Sequence, residues 1–171
     1  AVAPSGKEIA FVARGDVFVT SVEGGVTTRV TTTPEEERGV GFSPDGRQLV
    51  TTSTDCTARL WQLDGTPLAV LEGHREMVAR AVFSPDSMAI VTASSDHTAR
   101  LWRRDGRPIA TLEGHTGAVN HVTFSPDGSL IATASNDNSA RVWRADASLV
   151  AVLQGHGGWV NHLSFSPDGA Q

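Results

Sequence analysis

Apolar and polar residues alternate over short stretches along this chain of 171 residues. In residues 16–22, Val17 and Val19 alternate with Phe18 and Thr20, which is the two-residue period of a half-buried β-strand. No stretch shows the period of about 3.6 residues that marks an amphipathic helix. The pattern therefore predicts an all-β protein.

Turn-forming residues divide the alternating stretches into short strands. Ser-Pro-Asp runs begin at Ser43, Ser84 and Ser125, and proline followed by aspartate favours a tight turn between antiparallel strands. The predicted strands are three at residues 7–14, 16–22 and 26–32, three sets of four between residues 40 and 153, and one at 159–166. Together they are enough for four antiparallel sheets of four strands.

The three sets of four strands repeat with a fixed period. Trp61, Trp102 and Trp143 are 41 residues apart, as are the Gly-His pairs at 73–74 and 114–115 and the Ser-Pro-Asp runs. Several landmarks that recur in one register at such a period indicate a repeat architecture.

The Gly-His pair, followed by an aspartate six residues before a tryptophan, resembles the WD-repeat family of β-propellers over residues 34–171. The tryptophans are followed here by Gln62, Arg103 and Arg144 instead of aspartate. The resemblance implies four-stranded antiparallel blades at residues 34–72, 73–113 and 114–154 in one propeller domain. It also implies a non-catalytic scaffold for protein–protein interaction.

Residues 1–33 carry three strands without the Gly-His pair or the tryptophan. Their sequence, Pro-Ser-Gly-Lys-Glu-Ile-Ala-Phe followed by a Gly-Gly hairpin, resembles blades of Tol-type and tricorn-type propellers. The chain ends with one strand within residues 155–171. The turn residues 166–169 and 4–7 match, so we expect the first and last pieces to be parts of one split blade.

The split blade can close within one chain or between two chains. A four-bladed ring needs about 90° between blades and an eight-bladed ring about 45°. Small residues in the inner layers, such as Ala93 and Ala134, favour the close approach of the narrower angle. We therefore expect a homodimer that forms one eight-bladed ring by strand complementation.

The WD resemblance implies a buried hydrogen-bond chain in each blade, from tryptophan to serine to histidine to aspartate. The matching sets are Ser53, Asp55 and Trp61; His74, Ser94, Asp96 and Trp102; and His115, Ser135, Asp137 and Trp143. The first set has Thr33 in place of histidine. A hydrolase triad is the competing interpretation, but an active site need not recur every 41 residues, whereas a scaffold bond should.

The same resemblance implies a partner-binding face at the start of each inner strand and just before each aspartate. The corresponding residues are Thr54, Met77, Ala79, Ser95, Ala118, Asn120, Asn136, Trp159 and Asn161. Trp159 is the strongest candidate anchor, because binding hot spots are rich in tryptophan.

Net charge, apolar runs and cysteine content disfavour several classes of function. The net charge of −5 disfavours nucleic-acid binding, and no apolar run reaches the roughly 18 residues of a membrane helix. With Cys56 as the single cysteine and no signal peptide visible, we expect a soluble protein, cytoplasmic rather than secreted. No cofactor is implied. His121 and His162 occupy equivalent positions on successive blades, which should diverge around a ring, so no metal site is expected.

Two other functional interpretations remain open. The mixture of two propeller types would suit an engineered or recombined fragment with no evolved ligand. A regulatory propeller piece of a larger enzyme, such as a protease, is the second.

Overall fold

The computed structural model describes residues 1–31 and 34–167, and this part of the chain contains fifteen β-strands. The strands are β1 (Glu8–Ala13), β2 (Asp16–Ser21), β3 (Thr28–Arg29), β4 (Glu37–Phe42), β5 (Gln48–Ser53), β6 (Ala58–Gln62), β7 (Pro67–Leu71), β8 (Val78–Phe83), β9 (Ala89–Ser94), β10 (Ala99–Arg103), β11 (Pro108–Leu112), β12 (Val119–Phe124), β13 (Leu130–Ser135), β14 (Ala140–Arg144) and β15 (Leu149–Leu153). Within the described ranges no helix is long and apolar enough to cross a membrane.

Each strand pairs with its neighbours in chain order. Strands β4–β7, β8–β11 and β12–β15 form three four-stranded antiparallel sheets, and β1–β3 form a three-stranded sheet. Val2 adds a single bridge to Ile9 on the free edge of β1. The prediction of all-β, four-stranded antiparallel blades is confirmed.

The Ser-Pro-Asp turns hold the first two strands of a sheet together. In the second of them, Ser84 Oγ donates to Asp86 at 2.5 Å and accepts the backbone N–H of Ala89 at 2.9 Å. The turn then needs a left-handed residue. Gly46 and Gly128 supply it in two turns, whereas Ser87 adopts a φ of 61° in the other at some cost in backbone energy.

The hydrophobic core lies between successive sheets. The tryptophan-bearing face of each sheet packs on the sheet before it, so Trp102 joins Val50 and Leu60 in one cluster. Trp143 packs in the same way against the preceding sheet, near Val91 and Leu101. The stack is therefore held together mainly by repeated apolar contacts between neighbouring sheets.

The two ends of this stack are open. Leu71 and Leu112, which end the outer strands of two sheets, are 0% and 1% exposed because the following sheet covers them. The equivalent Leu153 is 51% exposed. At the other end, Phe11 of β1 is 41% exposed on the face that would meet a preceding sheet. Each end thus shows apolar surface that the interior sheets bury.

The predicted strand at 159–166 is absent from the described structure, where no strand follows β15. The segment lies beside the last sheet instead, with the N–H of Val160 donating to the carbonyl of Ser135 at 3.0 Å. Leu163 belongs to no sheet, whereas Ile9 pairs with Thr20. A strand needs a partner to complete its hydrogen-bond ladder, and no strand of the described residues pairs with this segment. Asp168 and Gly169, in the matching turn, lie outside the described residues.

Candidate functional site

A buried chain of side chains crosses the sheet formed by β8–β11. The indole N–H of Trp102 donates to Thr92 Oγ1 at 2.9 Å, and this oxygen lies 2.7 Å from His74 Nε2. His74 Nδ1 lies 2.9 Å from Asp96 Oδ2, which also accepts the backbone N–H of Arg75. The chain ties the third strand to the loop that enters the inner strand.

The donors and acceptors of this hydrogen-bond chain determine where its protons lie. Indole can only donate, so Thr92 accepts from Trp102 and gives its own proton to His74 Nε2. The proton on Nδ1 then faces Asp96. Burial lowers the pKa of His74 despite the neighbouring carboxylate, which keeps the imidazole neutral. Burial opposes ionisation of Asp96 as well, but hydrogen bonds from Thr98, Arg75 and His74 bring its pKa to about 2.

The next sheet repeats the arrangement. Trp143 Nε1 donates to Thr133 Oγ1 at 3.0 Å, which lies 2.8 Å from His115 Nε2, and His115 Nδ1 lies 2.7 Å from Asp137. Burial again lowers the pKa of His115. Two independent copies with nearly equal distances indicate a structural bond repeated with the fold.

An arginine packs against the Gly-His loop in each complete set. A Cβ on Gly73 would lie 2.5 Å from the Arg100 guanidinium and would displace it, and the φ of 146° at this position favours glycine as well. Gly114 has the same relation to Arg141. The glycine of the Gly-His pair therefore makes room for an arginine of the same sheet.

The sheet of β4–β7 has a shorter chain of buried hydrogen bonds. Trp61 donates to Thr51 Oγ1 at 3.0 Å, while Asp55 binds Arg59 at 2.6 Å instead of a histidine. Burial raises the pKa of Asp55, but bonds from Thr57 and Arg59 outweigh it, so the pKa stays below its ordinary value. Thr33, which replaces the histidine in sequence, lies outside the described residues.

In each hydrogen-bond chain, the hydroxyl that accepts from the tryptophan belongs to a threonine. This corrects the expectation that Ser53, Ser94 and Ser135 supply it. Ser94 Oγ instead donates to the carbonyl of Glu76 at 3.0 Å and accepts the N–H of Asp96. Both residues lie on one face of β9, but Thr92 is closer to the indole of Trp102. Thr51, Thr92 and Thr133 also recur every 41 residues, a signal that could have identified them.

Replacing Thr133 with valine should lower the free energy of unfolding by about 2–3 kcal/mol. Valine keeps the shape but leaves the Trp143 indole N–H and His115 Nε2 without their buried partner. Thr123→Val is the matched control, because the Thr123 hydroxyl makes only a 3.4 Å contact and a change within about 0.5 kcal/mol is expected. Urea unfolding measures both, and equal effects would contradict the threonine assignment.

Acidification should already destabilise the protein at pH values well above the pKa of an ordinary carboxyl group. Burial lowers the pKa of His74 and His115, and burial, Arg80 and His162 lower that of His121 to about 4. Between its lowered folded pKa and the ordinary value of 6.5, each of these histidines binds more protons in the unfolded state than in the folded state, so stability falls as pH falls.

For His121, whose pKa is lowered to about 4, the loss should approach about 1.4 kcal/mol per pH unit between pH 6 and 4.5, and the lowered pKa of His74 and of His115 adds to it in the same direction. Urea midpoints measured across this range test it, with a shallower slope expected for His115→Asn. Stability that rises on acidification from pH 7 to 5 would contradict the assignment.

The residues of the expected partner face lie close together at one end of the sheets. The N–H of Ser95 donates to the carbonyl of Met77, and that of Asn136 to the carbonyl of Ala118. The Asn120 amide donates to Asn136, and it lies 3.5 Å from Asn161 in the next segment. Trp159, beside them in sequence, is 68% exposed. Ala79 and Thr54 occupy the equivalent places in their own sheets.

The histidines at equivalent positions converge, which corrects the expectation that they diverge. The His121 and His162 rings lie with centroids 4.2 Å apart at 50°. Neither nitrogen of the buried His121 ring has a hydrogen-bond partner among the described residues. Still, the described residues hold no group of three or more histidine, cysteine or carboxylate side chains suited to a metal ion.

Comparison with known proteins identifies the family of this chain. A family model described as "WD domain, G-beta repeat" matches residues 30–62, 65–103, 106–144 and 147–171. No curated protein matches the chain. The matches over 65–103 and 106–144 each run from the outer strand of one sheet to the tryptophan strand of the next, so these repeats interlock neighbouring sheets. With the family model covering most of its residues, this chain belongs to the WD-repeat family.

Proposed function

We propose that this chain is a non-catalytic scaffold that closes into a ring by exchanging its last strand with a second copy. WD repeats suggest a protein-interaction scaffold. The observation that carries the proposed closure is the exposed Leu153, whose equivalents Leu71 and Leu112 are buried by a following sheet.

The hydrogen-bonding pattern supports a non-catalytic role. Catalysis by a serine, histidine and aspartate requires the serine hydroxyl to meet the histidine. Ser94 Oγ instead bonds to the carbonyl of Glu76, while His74 is occupied by Thr92 and Asp96. The buried histidines are therefore already used in holding the sheets together.

Both ends of the stack expose apolar side chains that a neighbouring sheet could cover. Among the described residues no sheet covers Leu153, and the β1–β3 sheet exposes Phe11 on the face that would meet a preceding sheet. The 159–166 segment lies beside the last sheet, in contact with Ser135 and His121, and no strand follows it among the described residues. A second copy would supply β1–β3 to this segment and leave no open end in the ring.

The register of the proposed pairing follows from the complete sheets. Phe83 pairs with Ile90, and Phe165 and Ile9 are the equivalent residues, so they should face each other. Val2 now bridges Ile9, and Ala1 accepts the N–H of Ala10. Residues 1–2 would therefore have to leave this edge when the strand of a second copy enters.

The scaffold function assigns the partner face to Trp159 and the three asparagines Asn120, Asn136 and Asn161. An exposed tryptophan beside amide groups suits a peptide that offers an apolar side chain and backbone hydrogen bonds. Met77, Ala79, Thr54 and Ser95 extend the face over the neighbouring sheets. Their contacts across the loops support a continuous surface.

One observation favours a chain recombined from two propeller types and without an evolved ligand: the family match begins only at residue 30. This alternative shares the proposed ring but not the partner face. A peptide-library selection separates the two, since an evolved face should yield binders that lose affinity when Trp159 is replaced by alanine.

Sedimentation equilibrium tests the assembly. A closed two-chain ring predicts a mass of about 36 kDa, twice the 18.0 kDa of one chain. A stable 18 kDa species at micromolar concentration would overturn the exchange between copies. Substitutions at Leu153 and His156 locate the contact between the two chains, which the mass does not.

A further inference from the structure

We propose that the closing blade is locked by His156 of a second copy entering a cleft formed by Phe11, Asp16 and Phe18. This inference rests on the proposed ring. It differs from the hydrogen-bond chains of the other sheets, because the first sheet has neither their threonine nor their tryptophan.

Strand register identifies the cleft. In the sheet of β8–β11, Thr92 pairs with Arg100, and His74 bonds to Thr92 and lies 3.4 Å from Thr98. In the first sheet the equivalent pair is Phe11 with Phe18. Val12 pairs with Val17 as Ala93 does with Ala99, so Asp16 stands where Thr98 touches the histidine.

The cleft is open and has room for a side chain. Phe11, Asp16, Phe18 and Arg29 line part of a cavity of about 480 Å³. The two phenylalanine rings stack with centroids 5.7 Å apart, forming an apolar wall. The cavity lies on the face of β1 that would receive the loop before a new inner strand.

His156 is the side chain that lacks such a place. His74 and His115 are 7% and 6% exposed, whereas His156 is exposed. It precedes Val160 by four residues, as His74 precedes Val78 at the start of β8. When that segment pairs with β1 of a second copy, the Gly155–His156 loop is carried to the aromatic pair.

The chemistry of the cleft suits an imidazole. Asp16 Oδ1 accepts from Arg29 at 2.7 Å, and among the described residues no bond is made to its Oδ2. An imidazole N–H can donate to this oxygen, as His74 does to Asp96, while the ring rests on Phe11 and Phe18. Glycine at 155 leaves room for Phe18, as Gly73 does for Arg100.

A double-mutant cycle tests this contact. The dimer dissociation constant is measured by sedimentation for the unaltered chain, His156→Ala, Asp16→Asn and the double variant. Each single change should weaken the dimer about tenfold or more, because it acts in both closing blades of the ring. The double variant should be little weaker than either single one.

The controls separate this inference from the ring itself. His97→Asn removes an exposed histidine on another loop and keeps a residue that tolerates the positive φ there, so the dimer should be unchanged. Circular dichroism checks that every variant folds. If the unaltered chain is a dimer but the two single effects on the dissociation constant multiply in the double variant, the His156 contact is overturned and the ring is not. If the unaltered chain is a monomer, the contact and the ring are overturned together.

Discussion

Replacing Trp102 with alanine is expected to lower the free energy of unfolding by about 3–5 kcal/mol. The side chain is 1% exposed and is the largest of the fully buried residues. It fills the space between two sheets beside Val50 and Leu60, and its indole N–H holds Thr92. Alanine would leave a cavity between sheets and remove one end of the hydrogen-bond chain.

The chain offers its own control for this substitution. Trp159 is 68% exposed, so Trp159→Ala should change stability by less than about 0.5 kcal/mol. Urea unfolding followed by circular dichroism, which does not depend on tryptophan, compares the two variants. Similar losses in both would show that Trp102 does not carry the contact between sheets.

Replacing Leu153 with aspartate is expected to weaken the dimer at least a hundredfold. The proposed ring buries Leu153 as completely as Leu71 and Leu112 are buried in the interior sheets. A carboxylate placed in such an apolar contact loses its hydration without gaining a partner, which costs several kcal/mol. Sedimentation over a range of concentrations gives the dissociation constant.

Val150→Asp separates burial at the interface from a general effect of charge on β15. Val150 is 45% exposed, and its equivalent Ile109 is 47% exposed although a sheet follows it. The Val150 position therefore stays in solvent in a ring, and its variant should remain dimeric. Equal weakening by both variants would argue against a ring that covers Leu153.

The sequence was sufficient to predict the repeated sheets. The 41-residue step and the Ser-Pro-Asp turns act locally, so strand order and the tryptophan positions follow from them. The hydroxyl was assigned wrongly because Thr92 and Ser94 lie on the same face of β9 and both can accept from an indole. Which one does so depends on the register between β9 and β10, where Trp102 pairs with Ile90.

Features set by contacts between sheets were harder to predict. The approach of His121 to His162 depends on the angle between neighbouring inner strands, which no local pattern encodes. The 159–166 segment has the sequence of a strand, much like β8 and β12, yet no strand forms there in a single chain. A strand needs a hydrogen-bonded partner, and a local sequence pattern does not encode that partner.

A disulfide between Leu163→Cys and Phe11→Cys, introduced with Cys56→Ser, tests the exchange of strands most directly. By analogy with Ala81 and Thr92, residues 163 and 11 face each other in the proposed pairing, at the separation of a non-hydrogen-bonded pair that a disulfide can bridge. Leu163→Cys with Val12→Cys, whose side chains would point to opposite faces, is the control pair.

On a non-reducing gel the ring predicts a cross-linked species of about 36 kDa for the 163–11 pair and little for the control. A cross-link confined to an 18 kDa species, or none for either pair, would contradict the exchange of the last strand between two copies.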